Sequence, residues 1–186
     1  MWKKIFLCLP LLYLPLQAVA DDEYDEAIEV YKAAGASSKL FDSAYGFAVF
    51  PTIAKGAVGV GGAHGAGRAY VNRKHVGDTT MTQLSVGWQL GAEAYSEIIF
   101  FKDKRDFDEF TNGNFEFGAE AKAVAVTASA GGLATTTGSS ASASAGQHDA
   151  STAGEYQNGT AVFTVTKGGL MYEAALAGQK FTYKPV

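Results

Sequence analysis

The sequence predicts a single α+β domain with a mainly antiparallel, strongly bent sheet, barrel-like or sandwich-like, and with N-terminal helices and one short helix packed on it. Three observations predict this fold class. Two long segments alternate with the period of two that marks a strand, one of them has small residues at every second position, and helical spacing is confined to short stretches. With 186 residues, 47% of them hydrophobic, the chain is long and apolar enough for one packed domain.

The first twenty residues have the layout of a secretory signal peptide. Lys3 and Lys4 form a basic start, an apolar stretch runs from Ile5 to Leu16, and Ala18-Val19-Ala20 is a small-x-small cleavage sequence. An anchor helix is the alternative, but this stretch is shorter than the roughly 20 residues that a membrane span needs. We therefore predict an exported bacterial protein, periplasmic or secreted, that is cleaved after Ala20 and keeps residues 21–186 as one domain.

The exported chain is acidic and has no cysteine. Removal of two lysines with the signal peptide takes the formal net charge from −4 to −6. Nucleic acid is therefore not an expected partner, because affinity for phosphate backbones comes mainly from clustered lysine and arginine. Cys8 leaves with the signal peptide, so neither disulfides nor thiol chemistry are expected.

The start of the mature chain has helical spacing. Apolar residues follow the helical period from Asp21 to Ala34, acidic residues crowd the first turn, and Gly35 follows as a terminator. A second short helical segment is predicted to begin at Ser37 or Ser38 and to end near Ala44. The acidic run lacks the ligand spacing of a calcium loop, so it indicates a solvated helix start rather than a metal site.

The stretch from Ala44 to Tyr70 begins with an apolar run ending at Pro51 and continues as a glycine-rich strand. Successive side chains of a strand point to opposite sides, so one face of this strand carries only small residues. These are Ala57, Gly59, Gly61, Ala63, Gly65, Gly67 and Ala69. No G-x-G-x-x-G or Walker spacing occurs here, so the stretch predicts a tightly packed, coiled sheet and not a phosphate cradle.

The next segment predicts a charged turn over residues 72–78 and one long or bent strand from Thr79 to Phe101. Its alternation predicts a buried side and a solvated side. The predicted buried side is Leu84, Val86, Trp88, Leu90, Ala92 and Ala94, and the predicted solvated side is Gln83, Ser85, Gln89, Glu93 and Glu97.

The rest of the chain predicts one helix, three strands and a loop. A short amphipathic helix over residues 102–110 places Phe107 and Phe110 inward, and strands follow over residues 115–130, 155–166 and 170–183. Residues 131–154 are rich in glycine, alanine, serine and threonine and predict a flexible loop.

No catalytic or metal-binding motif stands out. His64, His75 and His148 are too scattered for a local zinc motif, and no serine has a G-x-S-x-G context. Glu93 and Glu97 would share a strand face, which leaves a paired-carboxylate site open, although acids spaced in this way usually lie on a solvated face. The sequence therefore predicts a protein that is not an enzyme and that uses no metal or cofactor.

Several motifs resemble the SYLF-domain family. The most specific is Ala44-Tyr45-Gly46-Phe47-Ala48-Val49-Phe50-Pro51, followed by Lys55-Gly56 and the glycine-rich strand. Trp88-Gln89-Leu90-Gly91-Ala92-Glu93 is similar to the family's second motif. The motif residues for which this resemblance implies a structural role are Gly46, Phe47, Phe50, Pro51, Gly56, Gly61, Gly62, Gly65, Gly67 and Gly91.

The resemblance implies a non-enzymatic module that binds lipid or a membrane surface. By position, it implies that Lys55 and Arg68, with Tyr70 beside the latter, contact lipid. Family members that bind phosphoinositides or actin do so with basic residues, whereas this chain is acidic and carries a signal peptide. We therefore expect an envelope lipid and no actin. A structural or protein-interaction role in the envelope, without a lipid ligand, is the alternative.

Overall fold

The computed structural model describes residues 16–118, 121, 123–129, 132–136, 156–168 and 176–186. Four helices and six strands lie in these ranges. The helices are α1 Leu16–Ala33, α2 Gly35–Ser38, α3 Leu40–Ser43 and α4 Lys104–Thr111. The strands are β1 Gly46–Val71, β2 Lys74–Phe101, β3 Ala123–Ser129, β4 Gly132–Thr136, β5 Thr160–Gly168 and β6 Gln179–Pro185. The predicted α+β class, with N-terminal helices and one short later helix, is confirmed.

The six strands form one sheet in the order β1-β2-β5-β3-β4, and β6 also pairs with β2. All pairs are antiparallel except β3 with β5, which run parallel. Among the described strands no pairing joins β1 to β4, so the sheet has two ends and the predicted barrel-like closure is not confirmed.

Strand β1 is strongly curved. Fully extended, the chain from residue 46 to residue 70 would span about 80 Å. The rings of Phe47 and Tyr70 nevertheless stack with centroids 5.0 Å apart. Register shifts relative to β2 occur at three places along β1, and such bulges bend a strand and increase its twist. The predicted strong bending is therefore confirmed.

The small-residue face of β1 lies inside this curve. Gly61, Ala63, Gly65, Gly67 and Ala69 are all buried. A Cβ atom at Gly65 would lie 2.6 Å from Ile53 Cγ1, and one at Gly67 would lie 2.5 Å from two ring carbons of Phe50. The second half of the strand therefore packs directly on its own first half. The small-residue face permits that close approach.

Two core layers cover the middle of the sheet. Inside the curve, Phe50, Ile53 and Met81 pack with residues of α4 and β6. Beneath α1, its buried residues Ala27, Ile28 and Tyr31 pack on the opposite face of β1, β2 and β5. Because both faces are covered there, every residue from Tyr95 to Phe101 is buried.

The predicted faces of β2 are wrong at four of the positions whose side chains are described. Leu84 and Ala92, predicted to be buried, are exposed, Leu84 by 85%, whereas Gln83 is buried and Glu97 is 0% exposed. The side chains of residues 85–91 lie outside the described set. The charged turn is also shorter than predicted, since only Asn72 and Arg73 form it, with φ values of 50° and 64°, and β2 begins at Lys74.

Helix α4 matches its prediction. The Asp103 side chain caps it by accepting a hydrogen bond from the backbone N–H of Asp106 at 3.1 Å. Phe107 and Phe110 are buried inside the curve, as predicted.

The later strands are shorter than predicted. The strand predicted over residues 115–130 becomes a single bridge from Glu116 to Lys180, followed by β3. Residues 132–136, at the start of the predicted loop, form β4. The remainder of that loop, residues 137–154, and residues 170–175 of the last predicted strand lie outside the described residues.

Gly159 is a point where packing and backbone conformation both require glycine. Its φ is 81°, and a Cβ atom there would clash with the buried carboxyl group of Asp106. Gly178 has a similar φ of 76° but no atom within 4 Å of the same position. We expect Gly178→Ala to lower the free energy of unfolding by about 1 kcal/mol and Gly159→Ala by about 1–3 kcal/mol more. Urea unfolding of both variants measures the difference, and equal losses would contradict the packing shown here.

Candidate functional site

The predicted lipid-contacting residue Arg68 lies under the first turns of α1. Its Nη1 atom is 2.6 Å from Asp21 Oδ1, and its guanidinium carbon lies 4.3 Å from the centre of the Tyr24 ring. The side chain is 22% exposed. An arginine that is held by a carboxylate and covered by an aromatic face is fixed in place. Arg68 therefore attaches α1 to the sheet.

Tyr70 lies beside Arg68 and belongs to the core beneath α1. It is 9% exposed, stacks on Phe47 and lies 5.7 Å from the His75 ring. Burial raises the pKa of Tyr70 and of Tyr24, and the positive charge of Arg68 opposes that rise at both. Both phenols are consequently neutral at physiological pH, and they pack around the guanidinium.

A second polar contact continues the attachment of α1. Thr52 Oγ1 donates to Glu23 Oε1 at 2.9 Å, and Lys167 Nζ donates to the same threonine oxygen at 3.4 Å. Helix α1 begins at Leu16, so the acidic run of residues 21–26 lies after its first turn and not in it, and the acids of this run are exposed as the sequence predicts. Asp21 and Glu23 nevertheless contact Arg68 and Thr52 of β1. The contacts at Asp21, Glu23 and Tyr24 are called the α1 clasp below.

Lys55, the other predicted lipid-contacting residue, lies opposite Glu93 in the β1–β2 register and is half-buried. Burial raises the pKa of Glu93, and the positive charge of Lys55 opposes the rise. The structure therefore brings Arg68 and Tyr70 together beneath α1. Lys55 lies elsewhere on the sheet, where it pairs with Glu93 across β1 and β2.

The motif residues that the family resemblance singled out lie along β1 and β2. Gly46, Phe47, Phe50 and Pro51 are buried at the start of β1, Gly61, Gly65 and Gly67 are buried on its inner face, Gly62 is half-buried, Gly56 is exposed, and Gly91 pairs with Ala57. Most of these positions serve the close packing of the curved strand.

The outer face of the β1–β2 pair beyond α1 is exposed at its described positions, and β6 places Lys180 beside Thr82 on the same face. Leu84 pairs with Gly62, and Thr82 pairs with His64. His64, Ala66, Thr82 and Leu84 are exposed, and Gly62 is half-buried. Leu84 is one of only two large hydrophobic residues that are exposed in the described part of the chain, the other being Val186.

A buried polar cluster inside the curve was missed by the sequence reasoning. Gln179 Nε2 donates to Glu97 Oε2 at 3.1 Å and to the Tyr95 hydroxyl at 3.3 Å. The other carboxyl oxygen of Glu97 and the amide oxygen of Gln179 have no hydrogen-bond partner among the described residues. Burial raises the pKa of Glu97 to about 7, against the opposing effect of the Gln179 hydrogen bond. The signal in the sequence was its place between Tyr95 and an apolar run, where both sheet faces are covered.

Among the residues that the structure describes, the remaining titratable groups lie apart from one another. His64 is exposed on β1, whereas Glu93 faces Lys55. Within the described ranges no group of three or more His, Cys, Asp or Glu residues is placed to hold a metal ion. A cleft of about 680 Å³ is lined by Phe115, Phe117, Val162, Leu176 and neighbours. Its rim carboxylate Glu116 pairs with Lys180 at 3.3 Å.

Among the helices described, none combines the length and apolarity that crossing a lipid bilayer would require.

Comparison with known proteins identifies a protein family whose model matches this chain and a protein with a similar sequence. The model of the family described as Ysc84, Las17-binding protein actin regulator, matches residues 82–184. The protein named Beta cell expansion factor A, from Aeromonas veronii, is 29% identical over 156 residues, which are 83% of this chain and 51% of that protein. The chain thus spans about half the length of this relative. The most specific motif, residues 44–51, lies N-terminal to the range that the family model matches.

Proposed function

Since this chain belongs to the Ysc84 family, the SYLF-domain family that its motifs resemble, we propose that it binds lipid or a membrane surface of the bacterial envelope without catalysing a reaction. Family membership is the observation that carries the proposal. The signal-peptide layout of residues 1–20 supports the envelope location.

The name of the family refers to binding of Las17 and to actin regulation. We do not extend that activity to this chain, because an exported protein would not meet actin. The matched relative is known by a name that refers to beta cell expansion, and this chain covers about half of it. The shared domain is therefore the part on which the proposal rests.

The geometry supports a binding module more than an enzyme. In the part of the chain that the structure describes, Arg68 is held by the α1 clasp. Glu97, in the buried polar cluster, is 0% exposed. Neither group is open to a substrate in this conformation. The sheet face that carries Leu84 is open to solvent in the described residues.

Co-sedimentation of the purified full chain with vesicles tests the proposal. We expect the protein to pellet with vesicles of phosphatidylethanolamine and phosphatidylglycerol and to stay in solution without them. No binding to any lipid mixture, at low salt as well as at high salt, would contradict a lipid-binding function.

The alternative function is a structural or protein-interaction role in the envelope. The acidic net charge of the chain favours a protein partner with a basic surface. Pull-down from envelope extract with delipidated protein would support this role if one protein is recovered in stoichiometric amount.

A further inference from the structure

Two buried oxygen atoms of one hydrogen-bonded pair lack a donor. Gln179 Nε2 donates to Glu97 Oε2 at 3.1 Å, whereas Glu97 Oε1 and Gln179 Oε1 have no hydrogen-bond partner among the described residues. Both residues are 0% exposed. Because water cannot reach these atoms, leaving both acceptors unpaired lowers the stability of the fold.

A single proton on Glu97 supplies a donor for this pair. A protonated carboxyl group has one O–H donor and keeps an acceptor oxygen. With the proton on Glu97 Oε1, Glu97 Oε2 still accepts from Gln179 Nε2, and the new O–H can be donated to Gln179 Oε1. The pair then holds no charge inside the curve of β1, so neither residue has to be solvated.

The elements packed around Glu97 bring no charged side chain towards it in the described part of the chain. They contribute neutral side chains to this layer, namely Phe50 of β1, Thr164 of β5, Phe107 and Phe110 of α4, and Gln179 and Phe181 of β6. Strand β3 has no ionisable residue. The Tyr95 hydroxyl, which accepts from Gln179, is the other titratable group on this face. Glu116 and Lys180 are exposed and pair with each other, and Asp106 of α4 lies against Gly159.

Ionisation of Glu97 would act on the start of β6, because Glu97 itself is fixed. Glu97 lies within β2, is paired on both sides and is covered on both faces. Gln179 is the first residue of β6 and follows a turn in which Gly178 has a φ of 76°. Its N–H donates to the Leu176 carbonyl, and its carbonyl accepts from the Phe117 N–H, both at 3.0 Å. We call residues 176–179 the β6 entry. The end of a strand opens locally at a lower free energy than the middle of a sheet.

We propose that Glu97 and Gln179 form a proton-dependent switch, in which protonated Glu97 holds the β6 entry on the inner face of the sheet and ionised Glu97 releases it. Ionisation leaves two buried oxygen atoms without a donor, and opening of the β6 entry lets water solvate the carboxylate. Leu176 and Phe117 line the cleft of about 680 Å³, so release of the β6 entry also moves one wall of that cleft. This inference does not depend on lipid binding.

The direction of the pH dependence follows from the two states of Glu97. Burial raises the pKa of Glu97 from 4.5 to about 7 in the closed state, whereas solvation in the open state returns it towards 4.5. The closed state therefore binds the proton more tightly than the open state. Its advantage is fully present below pH 4.5 and is lost as pH rises towards and through 7.

Hydrogen exchange of the full chain at pH 5.5 and at pH 8, followed by NMR, tests the switch. The amides of Phe117, Gly178 and Gln179 report on the β6 entry, and those of Ile28 and Tyr31 report on α1. After division by the intrinsic rates, exchange at the β6 entry should be about tenfold faster at pH 8. Full solvation of Glu97 in the open state would favour opening about 25-fold between these pH values. Low concentrations of urea should leave this exchange unchanged, because local opening exposes little surface.

A matched pair of substitutions assigns the change to Glu97. Glu97→Gln cannot ionise, and its amide can donate to Gln179 Oε1 as the protonated acid does, so slow exchange is expected at both pH values. Glu109→Gln makes the same substitution at an exposed position and retains Glu97, so the tenfold change should remain. The infrared spectrum of the wild type at pH 5.5 should contain a protonated carboxyl band that is absent from Glu97→Gln.

Three results would overturn the inference. The first is exchange at the β6 entry that is the same at both pH values, or that changes equally in Glu97→Gln. The second is exchange at pH 8 that depends on urea as strongly as exchange of Ile28 and Tyr31 does, because Glu97 would then be solvated only when the whole protein unfolds. The third is an infrared spectrum without the carboxyl band at pH 5.5.

Discussion

Gly67→Ala is expected to destabilise the protein by about 3 kcal/mol, the upper part of the range for overpacking a core. The added methyl group would lie 2.5 Å from two ring carbons of Phe50 and 2.9 Å from Thr79 Cγ2. Phe50 is 0% exposed inside the curve of β1, so its ring has no open space into which it can move. The free energy of unfolding from urea titration measures the loss.

Gly56→Ala is the matched control for this prediction. Gly56 lies on the same strand, is exposed, and has no atom within 4 Å of the position that an added methyl group would take. Its substitution should change stability by less than about 0.5 kcal/mol. A double variant of Gly67→Ala with Phe50→Leu should lose less than the two single losses combined, since the smaller side chain relieves the clash. Equal stability of Gly67→Ala and Gly56→Ala would mean that the two halves of β1 do not pack as described.

Glu97→Gln is expected to stabilise the protein at pH 8 and to leave its stability at pH 4.5 nearly unchanged. The pKa of the buried Glu97 is raised from 4.5 to about 7, so the folded state holds a proton that the unfolded state releases between these values. Stability contributed by the protonated group is therefore fully present below pH 4.5 and is lost as pH rises towards and through 7. A shift of this size corresponds to about 3 kcal/mol, an upper limit for the gain at pH 8.

The difference in stability between wild type and Glu97→Gln is measured by thermal unfolding across this pH range. Taking the difference separates the titration of Glu97 from the titration of all other groups. Glu109→Gln, which makes the same substitution at an exposed position of α4, is the control. A flat difference for Glu97→Gln would mean that Glu97 is solvated in the folded protein, contrary to its position beside Tyr95 and Gln179.

The candidate site was only partly predictable. The sequence indicated Arg68 and Tyr70 as neighbours, and they do lie together, but their partners Asp21 and Tyr24 are more than forty positions away in the chain. A contact at such a distance depends on how the helix docks, which no local pattern contains. For the same reason the sequence did not show that one of the exposed acids, Asp21, holds Arg68.

The pattern of residues was enough to establish the class of the fold and the tight packing of β1. The alternation of small residues from residue 57 to residue 69 requires a close neighbour on one face, because glycine leaves room that only another part of the protein can fill. The amphipathic spacing of Phe107 and Phe110 likewise established an inward face for α4, because helical period and burial are local properties.

The folded structure was needed to show which face of β2 is buried and what the close neighbour of β1 is. Alternation predicts a buried side only where one face of a strand is covered, and α1 and the inner core together cover both faces from Tyr95 to Phe101. The neighbour of β1 proved to be its own first half, since Phe50 and Ile53 occupy the space at Gly67 and Gly65. Long-range docking of α1 and the curvature of β1 set these contacts, and both depend on residues far apart in the sequence.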